Sequence, residues 1–257
     1  MSGFSQNNAW ITSSGNAKTA RLRLFCFPYA GGGSLIYRDW QKHFSDKIEI
    51  CAVNLPGRGA RILEPALSDM PGLVKLIKDG LLPYFDRPFA FMGHSMGAAL
   101  SFELARSLRS LDLPLPVKLF VSACSAPHVP SLEPKCYDLP DPELIEELRR
   151  LNGTPPEILN NKELLNILLP LIRADFSVCQ TYEYKEDPPL DMPITVLRGS
   201  LDHDIPEESS LAWKEQTTSD FKCFTLEGDH FFCHSAKDKM IEIISRELFL
   251  YTGNAGF

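Results

Sequence analysis

A chain of 257 residues that is 44% hydrophobic and 23% charged carries enough apolar material to bury a sizeable core, which excludes disordered and fibrous classes. Its net charge of −7, with basic residues gathered only in short pairs such as Arg149-Arg150, leaves no electrostatic footprint for nucleic acid. No run of about 18 apolar residues offers a membrane span.

The first twenty residues are polar, lack the apolar stretch of a secretion signal and read as a flexible leader. Leu22 to Phe27 reads as a strand, Ser34 to Phe44 as a helix and Ile48 to Val53 as the next strand. From Asp69 to Phe85 the apolar residues Met70, Leu73, Ile77, Leu81 and Tyr84 fall three or four apart, drawing one stripe along a helix. Phe89 to Met92 is wholly apolar, as a strand buried on both faces of a parallel sheet would be. Met96 to Leu111 then reads as helix and Val117 to Ala123 as another buried strand. This repeated grammar specifies an α/β fold: a mostly parallel central sheet with right-handed crossovers and flanking helices.

Between residues 125 and 190 the grammar stops. Prolines recur, no buried strand is evident, and two helical stretches, Asp141 to Leu151 and Lys162 to Ile172, each carry one apolar face. The segment reads as an insertion in a single domain. The core pattern resumes with a strand at Ile194 to Leu197, a helix around Pro206 to Gln216, a strand at Phe221 to Leu226 and a last helix from about Ala236 to Leu250.

Gly93-His94-Ser95-Met96-Gly97 matches G-x-S-x-G directly after a buried strand and directly before a helix, the context in which a strained turn lifts a serine hydroxyl above the sheet edge. A serine hydroxyl needs a base, and the base an orienting carboxylate. The loop after the Ile194 strand supplies Asp202, with Asp204 as an alternative two residues on; the loop after Phe221 to Leu226 supplies His230. Catalytic groups gather at that edge of open α/β sheets. Of the other histidines, His94 within the elbow suits packing or substrate contact, His128 and His203 read as lone loop residues, and His234 as the start of the last helix.

Oxyanion donors are expected from the backbone N–H of Met96, immediately after the nucleophile, and from Ala30 in the glycine-rich loop after the first strand. That loop, FPYAGGGS, fits neither a P-loop nor G-x-G-x-x-G, so a nucleotide site is not expected. Seven scattered cysteines without a CxxC pair suggest no zinc site or disulfide framework and point to a reducing cytoplasm. No metal and no cofactor are expected.

Together FPYAGGGS, NLPGRGAR (Asn54 to Arg61), GHSMG, PLIRADF (Pro170 to Phe176), GSLD (Gly199 to Asp202) and GDHFF (Gly228 to Phe232) resemble the type II thioesterases of nonribosomal peptide and polyketide synthesis, from about Leu22 to Leu248. The medium-chain acyl thioesterases of fatty acid synthesis are similar too. The resemblance implies an α/β-hydrolase fold with the 125–190 insertion as a helical lid. It also implies a triad of Ser95, Asp202 and His230 with Ala30 and Met96 in the oxyanion hole. The implied substrate is an acyl, aminoacyl or peptidyl thioester on the phosphopantetheine arm of a carrier protein, met by a cytoplasmic monomer. A carboxylesterase sharing the same triad, and a silent hydrolase-fold binding module, are the competing classes.

Overall fold

The computed structural model describes residues 9–253 except 14, 16, 132 and 133. Its strands are β1 (Ile11–Ser13), β2 (Leu22–Phe27), β3 (Ile48–Val53), β4 (Phe89–His94), β5 (Leu119–Ser122), β6 (Ile194–Gly199) and β7 (Phe221–Leu226), and they form one sheet in the order β1-β3-β2-β4-β5-β6-β7. Every pairing is parallel except that of β1 with β3. The helices are α1 (Met70–Leu81), α2 (Met96–Ser110), α3 (Asp141–Leu151), α4 (Pro156–Leu159), α5 (Lys162–Gln180), α6 (Glu207–Leu211), α7 (Phe232–Ser235) and α8 (Lys237–Leu248).

Strands β2 to β5 are buried along their whole length, because helices cover both faces of the sheet. The period of two along β2 divides its side chains between two cores. Phe25 and Phe27 join Phe91, α1 and α2 on one face; Leu24 and Cys26 join Met92, Trp40 and α8 on the other. Helix α1 begins where Asp69 accepts a hydrogen bond from the Gly72 N–H at 2.8 Å, and it buries Met70, Leu73, Val74, Ile77 and Leu81. Each such side chain contributes about 1.5–3 kcal/mol of burial free energy.

The structure departs from the sequence reading where tertiary contacts override local pattern. Part of the stretch read as a leader is built into the sheet: Ile11–Ser13 pairs antiparallel with β3, and Trp10 lies under the Arg61 guanidinium. The rest of that leader up to residue 8 lies outside the described residues. Ser34 to Phe44 is not one helix but two short 3-10 turns, Ser34–Tyr37 and Trp40–His43. The buried Tyr37 and Trp40 are three residues apart, the spacing of a 3-10 turn, and their rings meet edge to face 4.9 Å apart. Likewise Pro206 to Gln216 splits into α6 and a 3-10 turn, where the buried Trp213 donates its indole N–H to the Cys124 carbonyl at 2.8 Å.

Between β5 and β6 stand α3, α4 and α5, with a small core of their own that includes Leu144, Leu148, Leu159, Leu165 and Leu169. Helix α5 runs eight residues past the Ile172 end expected from its leucine stripe. Arg173 and Asp175 interrupt that stripe, but both find partners elsewhere in the fold. Arg173 donates to the Tyr137 carbonyl and to Asp141 at 2.9 and 2.6 Å, and Asp175 is taken up by Arg58.

Candidate active site

Ser95 forms the turn between β4 and α2 with φ 53° and ψ −118°, a conformation that costs any residue bearing a Cβ on the order of 1–3 kcal/mol. Close packing enforces it. A Cβ at Gly93 would lie 2.1 Å from the Gly97 carbonyl oxygen, and one at Gly97 would lie 2.2 Å from that of Phe27. Only glycine at both positions lets strand and helix approach this closely.

The Ser95 Oγ lies 3.0 Å from His230 Nε2, and His230 Nδ1 lies 2.9 Å from Asp202 Oδ2. A carboxylate only accepts, so Nδ1 carries the proton and Nε2 is left to receive the serine O–H. The Asp202 side chain is 1% exposed and is held by its own loop, its Oδ1 accepting from the N–H groups of Asp204 and Ile205 at 3.1 and 3.3 Å. Asp204 faces another way, 3.1 Å from Arg150 of α3. Of the two carboxylates left open by the sequence, Asp202 is therefore the one on the imidazole.

Ala30 and Met96 line the same chamber as Ser95 and His230. The Met96 N–H belongs to the first turn of α2, where helix geometry provides no internal acceptor and the dipole favours negative charge. In the other loop the next two amides are occupied: Gly31 donates to Asp175 Oδ2 at 2.7 Å and Gly32 to the Tyr29 carbonyl at 2.9 Å.

Asp175 and Arg58 are a pair that sequence reasoning missed. Their side chains are 1% and 9% exposed and meet through two parallel hydrogen bonds of 2.6 and 2.7 Å, while Arg58 also donates to the Gly32 carbonyl at 3.0 Å. The pair ties α5 to the glycine-rich loop. The available signal was polar residues interrupting an apolar helical stripe.

Among the remaining histidines, His94 is buried beneath the elbow, and burial holds it well below the usual imidazole range. His234 does not begin the last helix. It sits in the single turn of α7, its Nε2 2.9 Å from the hydroxyl of Tyr29, whose pKa burial pushes up to about 12. His128 lies on the chamber wall, 2.8 Å from the Gln216 amide, whereas His203 is exposed. No cluster of three or more His, Cys, Asp or Glu suited to a metal ion occurs among the described residues.

Above Ser95 opens a chamber of about 540 Å³, lined by Met70, Met96, Phe102 and Trp213 from the body and by Phe176, Tyr182 and Tyr184 from the end of α5 and the segment after it. These last three aromatic side chains face the chamber, whereas Leu165 and Ile172 of α5 pack the inserted helices together.

The family model of the Thioesterase domain matches residues 22–248. The gramicidin S biosynthesis protein GrsT of Aneurinibacillus migulanus is 44% identical over 96% of this chain and 97% of its own length. Among solved structures, the RedJ thioesterase from the prodiginine biosynthetic pathway in Streptomyces coelicolor superposes with a TM-score of 0.85 at 35% identity, covering 91% of this chain and 88% of that one. The type II thioesterase BorB from the borrelidin biosynthetic cluster gives a TM-score of 0.84 at 33% identity over 95% of this chain and 98% of that one.

Proposed function

The chain belongs to the Thioesterase domain family, as a type II thioesterase of nonribosomal peptide and polyketide synthesis, and we propose that Ser95, His230 and Asp202 carry out the hydrolysis on acyl groups held by a carrier protein. The observation behind this reading is the hydrogen-bonded series from Ser95 through His230 to Asp202, opening on a chamber large enough for an acyl group.

Ser95 Oγ attacks the thioester carbonyl while His230 Nε2 accepts its proton, and the negative carbonyl oxygen is met by the N–H groups of Met96 and Ala30. Asp202 holds the imidazole in the required tautomer and steadies the imidazolium. As the intermediate collapses the C–S bond breaks, and the thiolate takes the proton from His230 and departs as a thiol. A water then gives its proton to His230 and attacks the acyl-serine; its hydroxyl ends in the carboxylic acid, and Ser95 recovers its proton. A thiol of pKa ~8.5 leaves far more readily than an alkoxide, so the rate rests chiefly on oxyanion stabilisation, where one donor is worth about 2.7–4 kcal/mol.

The leaving thiol is the phosphopantetheine arm of an acyl or peptidyl carrier protein, and the enzyme works as a cytoplasmic monomer. No helix of the described residues is long and apolar enough to cross a membrane. The test is a comparison of kcat/KM on matched thioesters and oxygen esters, each offered free and on a carrier. This reading expects the carrier-bound thioester to be preferred. A preference for free medium-chain acyl thioesters would make it a fatty acyl thioesterase, and a preference for oxygen esters a carboxylesterase.

A further inference from the structure

The assigned side chains leave open what holds the main chain of His230. That residue lies in a loop after β7, and its ring must stay aligned with a serine on a different strand. The ring of His94, adjacent to Ser95, supplies the connection. Its Nε2 lies 2.8 Å from the main-chain oxygen of His230, and its Nδ1 lies 2.9 Å from the Ser122 hydroxyl on β5. A carbonyl oxygen only accepts, so Nε2 carries the proton and Nδ1 receives the Ser122 O–H. Ser122 in turn accepts the Ser95 N–H on its own carbonyl at 2.8 Å.

These bonds close a circuit: Ser95 Oγ to the His230 ring, the His230 carbonyl to His94, His94 to the Ser122 hydroxyl, and the Ser122 carbonyl back to the Ser95 N–H. We propose that His94 and Ser122 are positioning residues, which fix the backbone of the general base relative to the nucleophile through the Nε2–H of His94. The inference rests on the functional reading above. His94 is not itself among the residues that line the chamber, and its two ring nitrogens are taken up by the His230 carbonyl and the Ser122 hydroxyl, so it acts through His230. Two neighbouring residues at the end of β4 thereby hold both parts of His230: Ser95 its ring and His94 its main chain. His94 is 1% exposed, its ring flanked by Tyr29, Phe231 and Phe232; burial keeps that imidazole neutral, the form in which Nδ1 can accept. Misplacement of a reacting group by about 1 Å can cost on the order of 10²-fold in rate, which sets the scale of the expected loss.

The experiment compares His94→Phe, His94→Gln and Ser122→Ala with the wild type, reading kcat and KM on an acyl thioester and the melting temperature of each. His94→Phe keeps ring volume and removes both hydrogen bonds; His94→Gln keeps a donor that reaches the His230 carbonyl. The expected result is a fall in kcat of about 10–100-fold for His94→Phe with KM nearly unchanged, substantial recovery in His94→Gln, and a smaller fall in Ser122→Ala that adds nothing in the His94→Phe background. The imidazole ¹⁵N spectrum of the wild type should show His94 protonated on Nε2 alone. Unchanged kcat in the folded variants, an equal loss in Gln and Phe, or a proton on Nδ1 would overturn the proposal. Should His94→Phe fail to fold, Ser122→Ala and the spectrum decide it. Ser95→Ala separates the two readings: if it is inactive while the His94 variants are unimpaired, only this inference falls, and if it retains activity, both do.

Discussion

The sheet edge that bears Ser95 and the inserted helices above it are held in place by different physics. At the edge, position is dictated by backbone: Gly93 and Gly97 admit no Cβ, Ser95 is locked at positive φ, and parallel neighbours hold β4 on both sides. The inserted helices have only a small core of their own, and charged hydrogen bonds help to tie them to the body. Asp175 grips Arg58 and the Gly31 N–H, and Arg150 reaches Asp204. A site built this way can keep its nucleophile rigid while the cover above it is fastened at separate points.

Substitutions at the two regions should differ in kind, and the largest effect belongs to the edge. Ser95→Ala should lower kcat by about 10⁶-fold while the melting temperature stays or rises, since a polar side chain at a strained turn is removed without disturbing the turn; steady-state turnover and calorimetry check both. Next, Asp202→Asn should cost roughly 10⁴-fold in kcat by allowing the wrong imidazole tautomer. Asp204→Asn should cost only a few-fold, because its pair with Arg150 is partly exposed, and such pairs contribute about 0–1 kcal/mol. Equal losses in the two asparagine variants would erase the distinction drawn between the carboxylates.

At the inserted helices the expected effect is on stability. Asp175→Ala strands the buried Arg58 guanidinium and should cost about 3–5 kcal/mol in denaturant unfolding. The double variant Arg58→Leu/Asp175→Leu, which buries no lone charge, should lose less than Asp175→Ala. Additive losses would show that the pair does not act as a unit.

The smallest effect comes with pH. Burial, reinforced by the nearby His230, holds His94 well below its ordinary value, so the unfolded chain binds a proton there that the folded one refuses. Stability from this group is fully present above about pH 6.5 and declines as pH falls below it, by at most about 1.4 kcal/mol per pH unit. Unfolding free energies between pH 7 and 5 should fall less steeply in His94→Gln, which has nothing to titrate. Parallel slopes would assign that loss to other groups.

What the sequence revealed follows the same division. Strands β2 to β6 and the residues Ser95 and His230 could be located because continuous apolar runs and an elbow pattern are local signals. The division of Ser34 to Phe44 into two turns was not legible, since it depends on where Tyr37 and Trp40 find room against the sheet. Strand β1 was hidden by its brevity and by polar neighbours. The choice of Asp202 over Asp204 hangs on a turn in which one carboxylate accepts two amides, and the Arg58–Asp175 pair joins residues 117 apart in the chain. No local pattern reports such partners.

The central claim is that Ser95 carries the acyl group between attack and hydrolysis. Rapid quenching of the enzyme with a carrier protein bearing an acyl thioester, followed by digestion and mass measurement, should find the acyl mass on the peptide containing Ser95 and nowhere in Ser95→Ala. An acyl mass on another residue, or thioester hydrolysis that continues in Ser95→Ala, would contradict it.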